Sequence, residues 1–307
     1  MFVNDDGHTI EQEVWMSELT SVAVVGNGIM GSSIAGRLIE CGHSVVVFDV
    51  DPEKVAPLKE KGATAASSAA EAAGQCEYVI TSLNTADIVR KAVLGENGVA
   101  DGGDSSKMLI DMSSIDPVAT RSLAEELRSR TGMAWVDAPL SGGAPKASIG
   151  KLTVMAGGSA EDVERARAVM DSLCANYTHM GPNGAGQTTK LVNQVLCALG
   201  FQAVAEAVRL AEAGGVDASQ LSTALAGGRA DSNILQEFGP KMAARDYSPT
   251  GRIDNMLKDL ESVETFAASQ RLPLPLSGQI TELHRLFVAA GIGAEDTAAT
   301  MKYFEGF

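Results

Sequence analysis

Two hydrophobic rhythms divide this chain. From Ser21 to about His179, short apolar or β-branched runs alternate with helical patterns. Val22–Val25, Val45–Phe48, Tyr78–Ser82, Met108–Met112, Ala134–Asp137, Thr153–Ala156 and Tyr177–Met180 read as strands. Ile34–Glu40, Pro52–Lys61, Ala86–Leu94 and Pro117–Arg130 read as helices. Strand and helix alternating through Gly-rich turns predict a mostly parallel sheet covered on both faces, with ligands at the carboxyl ends of its strands. After Gly186 the strand signals almost vanish. A long helix is predicted from Gln187 to about Ala213, then helices over 217–226, 232–242, 252–269 and 276–290, with Pro273 and Pro275 separating the last two. The long helix is apolar on more than one face, a pattern suited to a domain or subunit interface.

The first strand runs straight into Gly26-Asn27-Gly28-Ile29-Met30-Gly31, a G-x-G-x-x-G turn between strand and helix. Gly26 permits the tight turn, Gly28 lets the backbone approach a pyrophosphate, and Gly31 lets the helix pack closely on the sheet. The helix then offers free N–H groups and its positive end to phosphates. Asp49 closes the second strand 18 positions after Gly31, near the roughly 20 expected of the acid that binds the adenosine ribose. Its plainer role would be to cap the turn ahead of Asp51-Pro52. A carboxylate there accepts hydroxyl protons and repels a 2′-phosphate, and no Arg follows it. The expected cofactor is therefore NAD, with NADP disfavoured. The fold class predicted is α/β: a Rossmann-type dinucleotide-binding domain over 20–183, then an all-α domain over 184–307 entered through the long helix. Residues 1–19 read as an extension.

Composition narrows the partners. The 307 residues carry a net charge of −15, which argues against nucleic acid or an anionic membrane surface. No run reads as a membrane span or a signal peptide. Cys41, Cys76, Cys174 and Cys197 are scattered without C-x-x-C spacing. They read as reduced core residues of a cytoplasmic protein, with no metal site expected.

Five segments are candidates for chemistry. Leu83 and Asn84 after the Tyr78 strand, and the polar residues around Ser114 after the Met108 strand, lie where a nicotinamide would be touched. Asp137-Ala-Pro-Leu-Ser141-Gly142-Gly143 offers a hydroxyl and consecutive amides to a carboxylate, or else is a simple Gly-rich turn. In the long helix Lys190, Asn193 and Gln194 share one face at i, i+3 and i+4. Burial and the helix's positive end would lower the Lys190 pKa and suit it to proton transfer near neutrality. A snorkelling surface Lys is the alternative. Lys258, beside Asp259, belongs either to an exposed charged face or to the cofactor site.

Taken in order, these motifs resemble the β-hydroxyacid dehydrogenase family, which includes 3-hydroxyisobutyrate dehydrogenase and tartronate semialdehyde reductase (2-hydroxy-3-oxopropionate reductase). The likeness runs from Ser21 to Phe304. It implies that Gly26, Asn27, Gly28, Ile29, Met30 and Gly31 form the cofactor turn, and that Ser141, Gly142 and Gly143 hold a substrate carboxylate. It implies Lys190 as general acid/base with Asn193 or Gln194 orienting the reacting oxygen, and Ser114 and Lys258 near the cofactor. The implied reaction is hydride transfer between NAD(H) and a small carboxylate-bearing β-hydroxyacid or its semialdehyde, in a homodimer or homotetramer. The Asn193-Gln194 pair is similar to the tartronate semialdehyde reductase branch. Ser82-Leu83-Asn84 replaces the common Met-Leu-Pro. Val192 stands where the 6-phosphogluconate dehydrogenases have His. The alternatives are 3-hydroxyisobutyrate dehydrogenase-like activity and an NAD(H)-binding protein without turnover.

Overall fold

The structure, a computed structural model, describes residues Leu19–Gly306. Residues 1–18 of the expected extension, Trp15 included, lie outside the described residues. The chain divides into two compact units, Met1–Ser113 with Ser122–Asn183, and Ser114–Arg121 with Gly184–Phe307.

The first unit is built on one sheet. Its strands are β1 (Ser21–Val25), β2 (Ser44–Phe48), β3 (Thr64–Ala65), β4 (Tyr78–Thr81), β5 (Met108–Asp111), β6 (Ala134–Asp137), β7 (Leu140–Ser141), β8 (Leu152–Gly157) and β9 (Cys174–Gly181). The order is β3-β2-β1-β4-β5-β6-β8-β7, with β9 also paired to β8. The pairs from β3 through β6 are parallel, in the order of a Rossmann-type domain. β8 runs antiparallel to β6 and to β7. Each of the seven runs read as a strand contributes one. The two that the pattern missed, β3 and β7, have two residues each, too few for a period to show. Val22, Ala23, Val24, Val79, Ile80, Leu109, Ile110 and Val136 are buried at successive positions. Successive burial is what a sheet covered on both faces demands, and it explains why these strands do not alternate. Because β1, β4, β5 and β6 point the same way, the segments that follow them all leave from one edge of the sheet.

The second unit is helical. Helix Ala185–Ala213 is its spine, with helices Leu221–Leu225, Asn233–Ala244, Ile253–Ser269 and Pro275–Ala289 and the 3-10 helices Ala218–Gln220 and Thr297–Phe304. The spine is long and apolar enough, by length and composition, to cross a membrane. Here it is a core helix. Val204, Ala205 and Val208 pack with Leu235, Phe238, Met242 and Met301, and Ala198 packs with Leu260 and Ile280. Its opposite stripe leaves Val192, Leu196 and Leu210 exposed.

Asp296 ties the end of this unit together. It is buried, and one oxygen accepts from Thr250 N, Thr250 Oγ1 and Gly251 N at 2.5–3.0 Å, while the other accepts from Ala298 N at 3.0 Å. The Lys241 ammonium lies 3.5 Å away. Burial alone would raise its pKa, but these donors outweigh burial and lower it. A carboxylate with a depressed folded pKa contributes stability above its unfolded pKa, and that contribution is lost as pH falls through the folded value. Asp296→Ala should therefore cost about 3 kcal/mol in denaturant unfolding at pH 7. The gap to the parent should narrow below about pH 4. An unchanged midpoint at pH 7 would refute this role.

Candidate active site

In the first unit the glycine turn is governed by contact. Gly26 sits at φ +92°, and a Cβ on it would lie 2.5 Å from Leu83 Cδ2 and 2.6 Å from the Ser82 carbonyl. A Cβ on Gly31 would lie 1.8 Å from the Gly26 carbonyl oxygen. Both positions therefore exclude any side chain. Gly28 is different: a Cβ there meets nothing within 4 Å. The space beside it is open, as a ligand approaching the backbone requires. Helix Ile29–Glu40 begins at Gly28 with no side-chain cap and no acid in its first turn. Its first amides are thus left to a partner from outside the helix.

Asp49 and Asn27 lock this turn. Asn27 N donates to Asp49 Oδ2 at 2.6 Å, and Asp51 N donates to Asp49 Oδ1 at 2.9 Å. The Asn27 side chain turns inward and donates to the Phe48 carbonyl at 3.0 Å. Both readings of Asp49 meet here, because it braces the following turn and also lines an open groove of about 580 Å³ with Val50, Pro52, Val55, Lys59 and Ser67. Lys54, with its ammonium 3.8 Å from Asp49, is a nearby cation that the sequence reading did not weigh. Ile29 and Val50, at 82% and 90% exposure, are large apolar side chains left uncovered beside the turn and the groove. Open backbone at Gly28, uncapped amides, a ribose-distance acid and uncovered apolar side chains together fit an adenine dinucleotide.

The strand ends carry the remaining candidates of this unit. Leu83 packs on Gly26, and its N–H donates to Ser113 Oγ at 3.0 Å; Asn84 follows, exposed. Ser141 is held in β7 opposite Thr153. Gly142 and Gly143 have φ of +119° and +65°, so that loop turns in a way only glycine adopts readily.

The second unit assembles the helix candidates. The spine starts at Gly184 (φ +88°), where a Cβ would lie 2.8 Å from Arg121 Nη1 and 2.9 Å from the Pro117 carbonyl. Lys190 shares a small cavity with Ser114, Ile115, Gln187, Leu191, Gln194, Asp259 and Ser262. Gln187 is buried and accepts from Ile115 N at 3.2 Å, which fixes the segment bearing Ser114. Gln194 Nε2 donates to Asp259 Oδ2 at 2.6 Å, and Asn193 Nδ2 donates to Gln194 Oε1 at 2.8 Å. Lys258 lies 3.4 Å from the other Asp259 oxygen, and its side chain is about half exposed. Burial pulls the Lys190 ammonium below the ordinary lysine range. Asp259 and Cys197 act to raise it, and Lys258 acts with burial.

The structure therefore gathers Ser114, Lys190, Asn193, Gln194 and Lys258 around a residue absent from the candidates, Asp259. Its signal was available. Met256, Leu260 and Val263 mark the inward face of helix Ile253–Ser269, and Asp259 is an acid on that apolar face.

Comparison with known proteins now bears on this geometry. The family model for the NAD binding domain of 6-phosphogluconate dehydrogenase matches residues 21–181, and the model for the NAD-binding domain of NADP-dependent 3-hydroxyisobutyrate dehydrogenase matches residues 184–304. The chain is 34% identical over 285 residues to the 3-sulfolactaldehyde reductase of Escherichia coli (strain K12), covering 92% of this chain and 95% of that protein. It is 33% identical over 281 residues to the 2-hydroxy-3-oxopropionate reductase of the same strain, covering 92% and 96%. The solved Mycobacterium tuberculosis 3-hydroxyisobutyrate dehydrogenase with L-serine superposes with a TM-score of 0.86 at 28% identity, covering 94% of this chain and all of that one. With its Rossmann-type sheet, dinucleotide turn and helical second unit, the chain belongs to the 3-hydroxyisobutyrate dehydrogenase family of β-hydroxyacid dehydrogenases and is an NAD(P)-dependent oxidoreductase acting on CH–OH groups.

Proposed function

We propose that this enzyme interconverts a small β-hydroxyacid and its semialdehyde with NAD(H), 2-hydroxy-3-oxopropionate being the favoured substrate, and that Lys190 is its general acid/base. The observation that carries this reading is the Lys190 environment: a buried ammonium whose pKa burial lowers, sharing one cavity with Gln194 and with the Asp259 carboxylate, which acts to raise it. NADH, when bound, supplies the hydride. In reduction Lys190 gives its proton to the carbonyl oxygen, and its charge stabilises the alkoxide as it develops. Asn193 and Gln194 orient that oxygen. Gln194 is itself fixed by Asp259. Ser141 and the Gly142 and Gly143 amides hold the substrate carboxylate, which aligns the carbonyl for attack. Gly26 to Gly31 take the pyrophosphate, Asp49 the adenosine ribose, and Leu83, Asn84, Ser114 and Lys258 the nicotinamide end. Asp49 favours NADH over NADPH. The exposed stripe of Val192, Leu196 and Leu210 supports a homodimer or homotetramer through the spine helix, measurable as mass by light scattering. Free thiols and an acidic surface are consistent with a cytoplasmic setting and with no nucleic acid or membrane partner.

The test is a substrate panel run with each cofactor and read at the nicotinamide absorbance. It contains 2-hydroxy-3-oxopropionate, the semialdehyde of 3-hydroxyisobutyrate, 3-sulfolactaldehyde, L-serine and L-threonate. 2-Hydroxy-3-oxopropionate should show the highest kcat/KM, with NADH preferred at least about tenfold, or about 1.4 kcal/mol. Preference for another member, or for NADPH, would move the substrate or the ribose assignment accordingly. Lys190→Ala should lower kcat about 100- to 10,000-fold while NADH binding is retained; full activity would end the Lys190 assignment.

Asp259 supplies a pH test. Its charge raises the Lys190 pKa, so neutralising it lowers that pKa further. Reduction needs protonated Lys190, so in Asp259→Asn the alkaline limb of the kcat profile should move to lower pH. An alkaline limb that stays in place would show that Asp259 does not set the Lys190 charge.

A further inference from the structure

Beneath the strand-end loops lies a polar row that no proposed step uses. Thr81, Asp111 and Asp137 are register partners across β4, β5 and β6, and Gly157 of β8 stands opposite Asp137. Thr81, Asp111 and Asp137 are all fully buried. One Asp111 oxygen, Oδ1, accepts from Thr81 Oγ1 at 2.8 Å and from Ser113 N at 3.1 Å. The other, Oδ2, is buried without a hydrogen-bond partner. Gly157 leaves room for the second carboxyl: a Cβ there would lie 2.6 Å from both Asp137 oxygens.

We propose that Asp111 and Asp137 act as a positioning pair that holds one proton between them, and that this proton fixes the loops that carry the nicotinamide-side contacts. Two adjacent buried carboxylates cannot both remain ionised cheaply, and a shared proton removes the repulsion. It also gives the orphaned Oδ2 a partner. The geometry makes the loops sensitive to the pair. The Ser82–Asn84 segment leaves directly from Thr81, the Met112–Ser113 segment from Asp111, and the Ala138–Gly143 segment from Asp137. Ser113 links two of them, because its N–H donates to Asp111 while its hydroxyl accepts from Leu83 N.

Burial and then the neighbouring Asp137 push the Asp111 carboxyl up to about 6, against hydroxyl and amide bonds from Ser113 and Thr81 that lower it. Of the other groups on this sheet, Thr81 faces Asp111 from β4 and Asp137 from β6. Beyond β8, His179 on β9 is engaged by the carbonyls of Gly158 and Gly181. The sign follows from a raised folded pKa. The folded state binds the proton more tightly, so stability is fullest at low pH and is lost as pH rises through about 6. Asp111→Asn keeps an acceptor for Thr81 and Ser113 and turns Oδ2 into a donor toward Asp137. It makes the protonated arrangement permanent.

This inference rests on the first unit binding NAD(H) and leaves the Lys190 proton step out. The experiment is therefore NADH affinity by fluorescence from pH 5 to pH 9, with urea unfolding at each pH. In the parent, affinity should fall severalfold above about pH 6. In Asp111→Asn it should stay flat, and the variant should gain up to about a hundredfold in folding equilibrium constant over the parent between pH 4 and pH 8. Asp111→Ala, which loses the acceptor, should bind NADH weakly at every pH, and the flat profile of Asp111→Asn beside the sloping profile of the parent is the readout that a merely structural role would not give. If Asp111→Ala does not fold, Gly157→Ala, which pushes a methyl onto Asp137, should lower affinity while leaving every loop residue in place. Parallel affinity and stability profiles in parent and Asp111→Asn would overturn the proposal. Loss of turnover in Lys190→Ala with the NADH profile unchanged would leave it standing.

Discussion

The first unit depends on a close approach of backbone to backbone: the Cα of Gly31 lies against the carbonyl of Gly26, where a methyl group would sit 1.8 Å from the oxygen. That approach sets how near helix Ile29–Glu40 begins to the end of β1. It leaves the helix start without a side-chain cap, beside open space at Gly28. The same turn is then pinned from the side, since Asp49 accepts from Asn27 N. One carboxylate thus braces the glycine turn and lines the groove beside it. The turn and the groove are coupled through it, so that altering Asp49 disturbs both.

The legible parts of the fold were those whose physics is local. β1, β2, β4, β5 and β6 announce themselves because a doubly covered sheet needs apolar residues at every position, and helix Ala86–Leu94 because its inward face repeats at helical spacing. β3 and β7 were silent because they are held by pairing to β2 and β8, not by any pattern of their own. The spine helix begins at Ala185, two residues before the apolar period predicts, because Gly184 in the left-handed region makes the turn against Pro117 and Arg121. That contact joins segments far apart in the sequence. For the same reason Ser114–Arg121 groups with the helical unit although it lies inside the α/β portion of the chain. Such a grouping depends on contacts like that from Ile115 N to Gln187, which composition does not encode.

The site shows the same division. Backbone-determined features were readable: the glycines, the acid after β2, and the i, i+3, i+4 face bearing Lys190, Asn193 and Gln194. Asp259 was not chosen because its partner is 65 positions away, at Gln194. Its electrostatic effect exists only once the two helices pack. The lowering of Lys190 was foreseeable from burial, but the opposing pull of Asp259 was not. Burial disfavours the charged ammonium and Asp259 favours it, so the two act in opposite directions on Lys190.

Relatives named for different substrates share about a third of their residues with this chain. Several positions of this chain admit little change on steric or hydrogen-bonding grounds. Gly26, Gly31 and Gly184 are fixed by clashes that any side chain would create. Asp111 and Asp137 sit in a row where a buried acid needs Thr81, Ser113 and the space above Gly157. Substituting any one of these costs more than a surface change, because the rest are built around it. The loops leaving that row bear no such restriction beyond their first residues. Ser82-Leu83-Asn84 keeps the Leu of the common Met-Leu-Pro, and Leu83 is the residue that packs on Gly26 and donates its amide to Ser113. The buried row and the contact of Leu83 on Gly26 therefore constrain where these loops begin, whatever side chains they carry further along.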